Sequence, residues 1–226
     1  MSTLTEKYRP TTLPDVIGQE KAVQMLNGLI ERKALGGRGY WLSGASGVGK
    51  TTLARIIARE IAEPWSIVEF DAAVQVNQAE LDEMSTMLTM RGMGATKHGR
   101  AWIINEAHGL RRAAVQQLLG LLERLPDWAL VVFTTTKDGE DKLFEDDIDA
   151  HPLLSRCVRV PLTNQGLAEA FAERVRVIAQ AEGLDGRPIG AYVKLARECK
   201  NNMRAMLHRV EAGAMAEGRV SACVGS

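Results

Sequence analysis

The sequence predicts an α/β fold: a phosphate-loop domain with a parallel sheet flanked by helices, followed by a small all-helical domain. Three observations predict it. First, Gly44-Ala45-Ser46-Gly47-Val48-Gly49-Lys50-Thr51 reads G-x-x-x-x-G-K-[ST], the loop whose backbone N–H groups turn inward around phosphate oxygens. Second, apolar runs of strand length alternate with stretches of helical period from Tyr40 to Val160, which implies βαβ units and right-handed crossovers. Third, the strand signal disappears after Asn164 and only helical periodicity remains. The boundary is expected near Leu162-Thr163, dividing the chain into residues 1–162 and 163–226.

The elements follow in order. Thr5 to Gln19 contains Pro10 and Pro14 and reads as an extended arm, because proline interrupts a helix. Glu20 to Lys33 places Val23, Leu26, Leu29 and Ile30 on one helical face and ends near Gly36-Gly37. Tyr40 to Ser43 is a buried strand leading into the loop, and Thr52 to Ile61 is the helix leaving it, with Leu53, Ile56, Ile57 and Ile61 on one face. Trp65–Phe70 is expected as a second strand and Gln78–Met90 as a helix with Leu81, Met84 and Leu88 facing in. A basic loop, Arg91 to Arg100, precedes a buried strand over 101–104; a helix spans Arg111–Arg124; strands cover 130–133 and 158–160. Helices are then expected over Gly166–Glu182, Ile189–Cys199 and Met203–Glu217. Trp65, Trp102 and Trp128 are assigned to the core or an interface.

Composition narrows the classes. No apolar run approaches the length of a membrane span. The first residues carry no apolar signal-peptide core, so a cytoplasmic protein is expected. Cys157, Cys199 and Cys223 lie far apart and fit neither a disulfide framework nor paired zinc ligands. Lysine plus arginine equals aspartate plus glutamate, 28 each, so any nucleic-acid contact has to come from a local patch.

The site chemistry follows from the loop. A nucleoside triphosphate is expected on residues 44–52 (Gly44, Ala45, Ser46, Gly47, Val48, Gly49, Lys50, Thr51, Thr52), with Lys50 reaching the β- and γ-phosphates and the Thr51 hydroxyl on Mg2+. The helix N-terminus adds its partial positive charge. Hydrolysis further requires an orienting group for water, a sensor of the γ-phosphate and positive charge against the transition state. Glu106, just past an apolar strand, is the candidate for the water.

At this point the chain resembles a clamp-loader ATPase of the AAA+ class, similar to bacterial DNA polymerase III gamma/tau and replication factor C small subunits. Glu6-Lys7-Tyr8-Arg9-Pro10 with Ile17-Gly18-Gln19 matches the family's adenine-binding box. Asn105-Glu106-Ala107-His108 falls at Walker B, Thr134-Thr135-Thr136 at sensor 1, Ser155-Arg156-Cys157 at the S-R-C motif, and Asn201-Asn202-Met203-Arg204 at sensor 2. The match runs from about Thr5 to Gly213. The resemblance implies an AAA+ core and a helical lid, with ATP and Mg2+ as cofactors. Tyr8, Arg9, Ile17 and Gly18 would wrap the adenine and ribose. Thr136 would contact the γ-phosphate or the water, and Arg204 would reach it from the lid. Arg156 would be a finger into a neighbouring subunit's site. Implied partners are like or related subunits in a ring or spiral, primer–template DNA and a sliding clamp. Arg91, Lys97 and Arg100 with His98, and the pair Arg111 and Arg112, fall in regions resembling the family's DNA-contacting elements; local positive charge suits sequence-independent phosphate binding.

Two departures stand out. The usual Walker B aspartate is Asn105; an amide offers Mg2+ an oxygen but no charge, so weaker magnesium affinity and slower hydrolysis are expected, with Asn105→Asp raising turnover at limiting magnesium. The family's collar and zinc module have no counterpart in these residues, so assembly is expected to rest on AAA+ interfaces, a separate partner or further residues; the compact form suggests a phage or mobile-element version. Two other functions fit the same motifs. One is another AAA+ DNA remodeller, such as a helicase loader or a recombination or transposition ATPase; the other is a hydrolytically idle nucleotide-binding subunit.

Overall fold

The computed structural model describes residues 2–136 and 151–216. The expected helix end at Glu217 and the thiol of Cys223 lie outside the described residues. Among the described residues, five strands form one parallel sheet in the order β2-β3-β4-β1-β5. They are β1 (Arg38–Ser43), β2 (Ile67–Phe70), β3 (Arg100–Ile104), β4 (Ala129–Thr135) and β5 (Cys157–Pro161). The helices are α1 (Leu4–Lys7), α2 (Glu20–Glu31), α3 (Lys50–Ile61), α4 (Gln78–Met87), α5 (Arg112–Glu123), α6 (His151–Ser155), α7 (Ala168–Ala181), α8 (Ile189–Glu198) and α9 (Met203–Glu211).

Strand period 2 sorts the core into two layers. Tyr40, Leu42, Ile103, Leu130 and Val132 face α2 and α3, where Leu26, Leu53, Ile56 and Ile57 meet them. Trp41, Trp102, Ile104, Val131 and Phe133 face the opposite layer, with Leu81, Met84, Val115 and Leu118 of α4 and α5. Trp41 and Phe133 stack at 5.6 Å between centroids. Central β1 and β4 are buried on both faces, hence their unbroken apolar runs. Because β1 is hydrogen-bonded on both sides, its carboxyl end, where the phosphate loop begins, is held at the middle of the sheet.

The helices after β5 build a separate apolar cluster: Phe171, Val175, Ile178, Tyr192, Leu195, Met206, Leu207 and Val210, joined by Leu4 from the chain's start. Here the expected extended arm needs correction. Leu4–Lys7 is one helical turn and Leu13–Asp15 a 3-10 turn capped by the Thr12–Asp15 pair. Pro10 and Pro14 separate the turns rather than straightening the segment, because burying Leu4 and Leu13 at 5% and 4% exposure requires compact backbone at each. The second strand starts later than expected, at Ile67, because Pro64–Ser66 forms a 3-10 turn before it. Trp65, on that turn, is 70% exposed and outside the core; Trp102 is in the core and Trp128 packs partly buried against it. The α6 turn had no signal in the sequence. Among the described residues no helix is long and apolar enough to cross a membrane.

Candidate functional site

A cleft opens where the phosphate loop, the arm and the C-terminal helices meet. Its floor is Ser46 to Thr52 with Glu106; one wall is Thr5, Tyr8, Arg9, Asp15, Val16 and Ile17; the other is Phe171, Arg174, Ile178, Met203, Arg204 and Leu207. Each part is positioned by its own local physics.

The floor is set by backbone. Gly47 and Gly49 take φ of +76° and +105°, a region open to glycine at no steric cost, and this turns successive N–H groups toward one point. Lys50 opens α3 and is 8% exposed, its ammonium donating to the carbonyls of Gly44 and Ala45 at 2.8 Å each. Burial pushes its pKa down; the Glu106 carboxylate pulls it back up and Arg204 adds to the lowering. A buried cation held by carbonyls alone, at a helix N-terminus, is a site that favours an anion.

Glu106 follows β3 in left-handed backbone, φ 52°, ψ 48°, a conformation that costs a non-glycine residue about 1–2 kcal/mol. It lines the cleft, and His108 Nδ1 lies 3.5 Å from its Oε2 and 3.3 Å from Thr135 Oγ1. Asn105 sits one step deeper. Its Oδ1 accepts from Thr51 Oγ1 at 3.0 Å and Thr134 Oγ1 at 2.9 Å. The Thr51 hydroxyl directs its proton to Asn105 and keeps its lone pairs toward the cleft, as a magnesium ligand requires.

The walls are tied together. In the arm, Tyr8 Oη donates to Glu182 at 2.5 Å and Lys7 pairs with the same carboxylate at 2.6 Å; these two partners hold the Glu182 carboxyl below its usual range. Arg9 donates to Thr52 Oγ1 at 3.1 Å and pairs with Glu6, so it links the arm to α3. On the other side the Met203 amide donates to the Gly47 carbonyl at 3.2 Å, and a Cβ added at Gly47 would lie 1.9 Å from Asn202 Oδ1. Gln19 exchanges two bonds with the Thr163 backbone, at 2.8 and 3.0 Å. Gly18, at φ +75°, stands beside the cleft, where a Cβ would meet Leu167 at 2.4 Å.

Of the sequence-predicted residues, the cleft gathers Tyr8, Arg9, Ile17, Ser46 through Thr52, Glu106 and Arg204. Gly44 and Ala45 serve through their carbonyls. Thr136 follows β4 outside the lining, and the hydroxyls bonded into the site network are those of Thr134 and Thr135. Arg156 lies elsewhere on the surface, 38% exposed in its side chain, bonded to Glu123 at 2.6 and 2.9 Å and to the Pro152 carbonyl. The basic residues split. Arg111 and Arg112 follow the carboxyl end of β3, whereas Arg91 and Lys97 precede its start and Arg100 opens it, at the far end of the sheet. Lys97 and Arg100 are tied to the Arg59 and Met90 carbonyls, next to the last turn of α3, a helix about 18 Å long. Sequence reasoning missed Arg174, Phe171, Ile178 and Leu207 as cleft residues, because an apolar helix stripe does not say which part is core and which is wall. It also missed Glu69 and Arg55 behind Asn105.

The residues fit a nucleotide with magnesium. The lining cations Arg9, Lys50, Arg174 and Arg204 outnumber the acids Asp15 and Glu106, and the buried Thr5 hydroxyl has no hydrogen-bond partner, leaving one unused polar group in the arm wall. Fold and site together define a phosphate-loop nucleotide protein with a helical wall over the loop.

The comparisons take this one step further. Residues 40–160, more than half of the chain, match the family model described as ATPase family associated with various cellular activities (AAA), and the chain belongs to that family. It is similar to the DNA polymerase III subunit gamma/tau of Mycoplasma pneumoniae, 27% identical over 205 residues, covering 79% of this chain and 29% of that one. The replication factor C small subunit of Natronomonas pharaonis is 28% identical over 218 residues, covering 95% of this chain and 63% of the relative. The chain thus spans about a third to two thirds of these relatives. A solved Thermotoga maritima RuvB mutant superposes with a TM-score of 0.69 at 22% identity, over 91% of this chain and 65% of that one, a likeness of fold. The chain is therefore an AAA ATPase-family protein similar to DNA polymerase III gamma/tau and replication factor C subunits.

Proposed function

We propose that this chain is the ATP-binding and hydrolysing subunit of a sliding-clamp loader, assembling with like or related subunits on primer–template DNA. The observation that carries the reading is the direct seat of the C-terminal helices on the phosphate loop, through Met203 N to Gly47 O and Asn202 against Gly47. A loop so joined to a neighbouring helical unit cannot change its occupancy without moving that unit, and a nucleotide-driven assembly switch needs such a joint. The relatives' names supply the biological context. In this reading residues 163–226 are the lid.

In this reading each residue has a role. Lys50 and the loop amides hold the β- and γ-phosphates, Thr51 holds Mg2+ with Asn105 behind it, and Arg204 approaches from the lid. Tyr8, Arg9, Val16 and Ile17 form the base and ribose wall. Glu106 orients the attacking water, with His108 Nδ1 3.5 Å from its carboxylate. Mg2+, when bound, neutralises charge on the transferring phosphoryl group. Thr136, just past the end of β4, would contact the γ-phosphate or the attacking water. Arg156 is exposed on its own subunit and acts on a neighbour's nucleotide. Arg111 and Arg112 serve the DNA phosphates; the Arg91–Arg100 loop, at the other end of the sheet, contacts a different part of the assembly.

Steady-state ATP turnover across protein concentrations, with no DNA, single strands or primed junctions, tests the reading. Turnover rising more than linearly with concentration and stimulated most by primed junctions is the expected result. Stimulation by single strands alone would move the function to another DNA remodeller. A second reading has one observation in its favour. Asn105 in place of an acid fits an idle subunit that binds ATP and holds active partners in the ring, and binding without turnover under every condition would establish it.

A further inference from the structure

Behind the phosphate loop, four side chains run in an unbroken line from the outer side of α3 back to its first turn. Arg55 donates to Glu69 through Nε at 2.7 Å and Nη2 at 3.1 Å. Glu69 Oε1 accepts from Asn105 Nδ2 at 3.0 Å, and the same amide donates to the Phe70 carbonyl at 3.2 Å. Asn105 Oδ1 then accepts from Thr51 and Thr134. The partners dictate the amide's orientation: reversing it would set Oδ1 against a carboxylate and a carbonyl, two acceptors with no proton between them. At 6% exposure Asn105 has no water to make up the loss.

Position 105 therefore needs a donor toward β2 and an acceptor toward α3. An asparagine supplies both and a carboxylate supplies only the second. The acid missing at the end of β3 stands one strand away, on β2, paired in register beside it: Glu69 opposes Ile103, and Phe70 opposes Ile104.

We propose that Glu69 is a positioning residue of the phosphate site. It carries the negative charge behind Thr51, and Asn105 is the amide bridge that transmits its orientation to the Thr51 hydroxyl. Acid and amide form a matched pair, so placing aspartate at 105 alone sets a buried carboxylate about 3 Å from the partly buried Glu69 carboxylate, a spacing at which like charges resist ionising together. This rests on the nucleotide-site reading above, and it reverses the simplest expectation for Asn105→Asp.

The test is a transposition of the pair, comparing wild type, Asn105→Asp, Glu69→Gln and the double variant by thermal unfolding without nucleotide and by fluorescent ADP binding with and without Mg2+. In the double variant the amide introduced on β2 donates to the carboxylate introduced at the end of β3, and the net charge is that of wild type. Asn105→Asp is expected to lower Tm by about 4–10 °C and to weaken Mg2+-dependent ADP affinity about tenfold. The double variant should recover at least half of both losses. If Asn105→Asp fails to fold, a folded double variant is the same support in stronger form. Wild-type Tm and magnesium dependence in Asn105→Asp would overturn the proposal, as would losses that simply add in the double variant. Magnesium-dependent affinity unmoved by all three variants despite coupled Tm values would reduce Glu69 to a structural role. Failure of wild type to bind ADP would sink the nucleotide reading itself and Glu69's positioning role with it.

Discussion

The two sides of the cleft are built on different physics. The floor is an extension of the sheet: β1 is hydrogen-bonded on both sides, α3 is buried along Leu53, Ile56 and Ile57, and the polar groups behind it form a closed network. The side built by the C-terminal helices has its own small core, and among the described residues its polar links to the rest are chiefly Met203 to Gly47 and Gln19 to Thr163, with the arm's Tyr8 and Lys7 on Glu182 and the Leu4 amide on Glu211. A rigid floor preorganises chemistry; a lightly joined wall can report on it. The arm spans both, with Leu4 in the core of the C-terminal helices and Leu13 in the floor's core.

That contrast can be broken at several points. The largest effect is expected at Lys50→Ala, which removes the buried ammonium from the floor. Nucleotide affinity should fall about 10- to 100-fold, as for loss of a charge-assisted hydrogen bond, while Tm without nucleotide changes little or rises, because a buried cation is removed; titration calorimetry and a melt measure both. Next comes a pair of glycine variants that separates backbone strain from the joint. Gly49→Ala meets nothing within 4 Å, so its only cost is its φ of +105°, about 1–2 kcal/mol. Gly47→Ala adds a collision with Asn202 at 1.9 Å and should cost clearly more in Tm and in nucleotide affinity. Equal losses would mean that the joint is not tight.

Smaller effects belong to the walls. Arg204→Ala, on the exposed first turn of α9, should weaken binding by roughly fivefold without touching Tm, whereas Thr5→Val removes a buried hydroxyl that has no partner. Its Tm should hold or rise, and nucleotide affinity should drop about fivefold if that hydroxyl meets the ligand. The smallest is a pH effect at the arm. Glu182 has its pKa lowered by its Lys7 and Tyr8 bonds from the usual 4.5. A depressed carboxylate contributes stability above its unfolded pKa and loses it as pH falls through the folded one. A Tm scan from about pH 6 downward should show Glu182→Gln losing part of the wild type's acid dependence below about 4.5, a shift kept small by solvent exposure.

What was legible in the sequence tracks the same division. Phosphate loop, strand alternation and Glu106 could be read because buried parallel strands are continuous apolar runs and the loop's glycines have a fixed backbone task. The C-terminal helices could be read as helices, but Phe171 and Ile178 looked like core, and the period of a helix does not tell a residue lining a cleft from one packed beneath it. The arm's turns escaped because proline spacing hides a single buried leucine on either side. The Glu69–Asn105 pair could not be found by inspection: the two lie 36 positions apart, and only the β2–β3 register brings an acid and an amide together. The basic loop is a different case, since its nearness in sequence to Arg111 and Arg112 conceals the length of β3 between them.

The central claim is that the cleft binds ATP and that Glu106 acts on the water rather than on binding. Wild type and Glu106→Gln, compared side by side for ATP affinity and for hydrolysis rate in oligomeric protein, test it most directly. The account predicts affinity within about twofold and hydrolysis slowed by about 100-fold or more in the variant. Unchanged hydrolysis in Glu106→Gln, or no ATP binding by wild type, would contradict it.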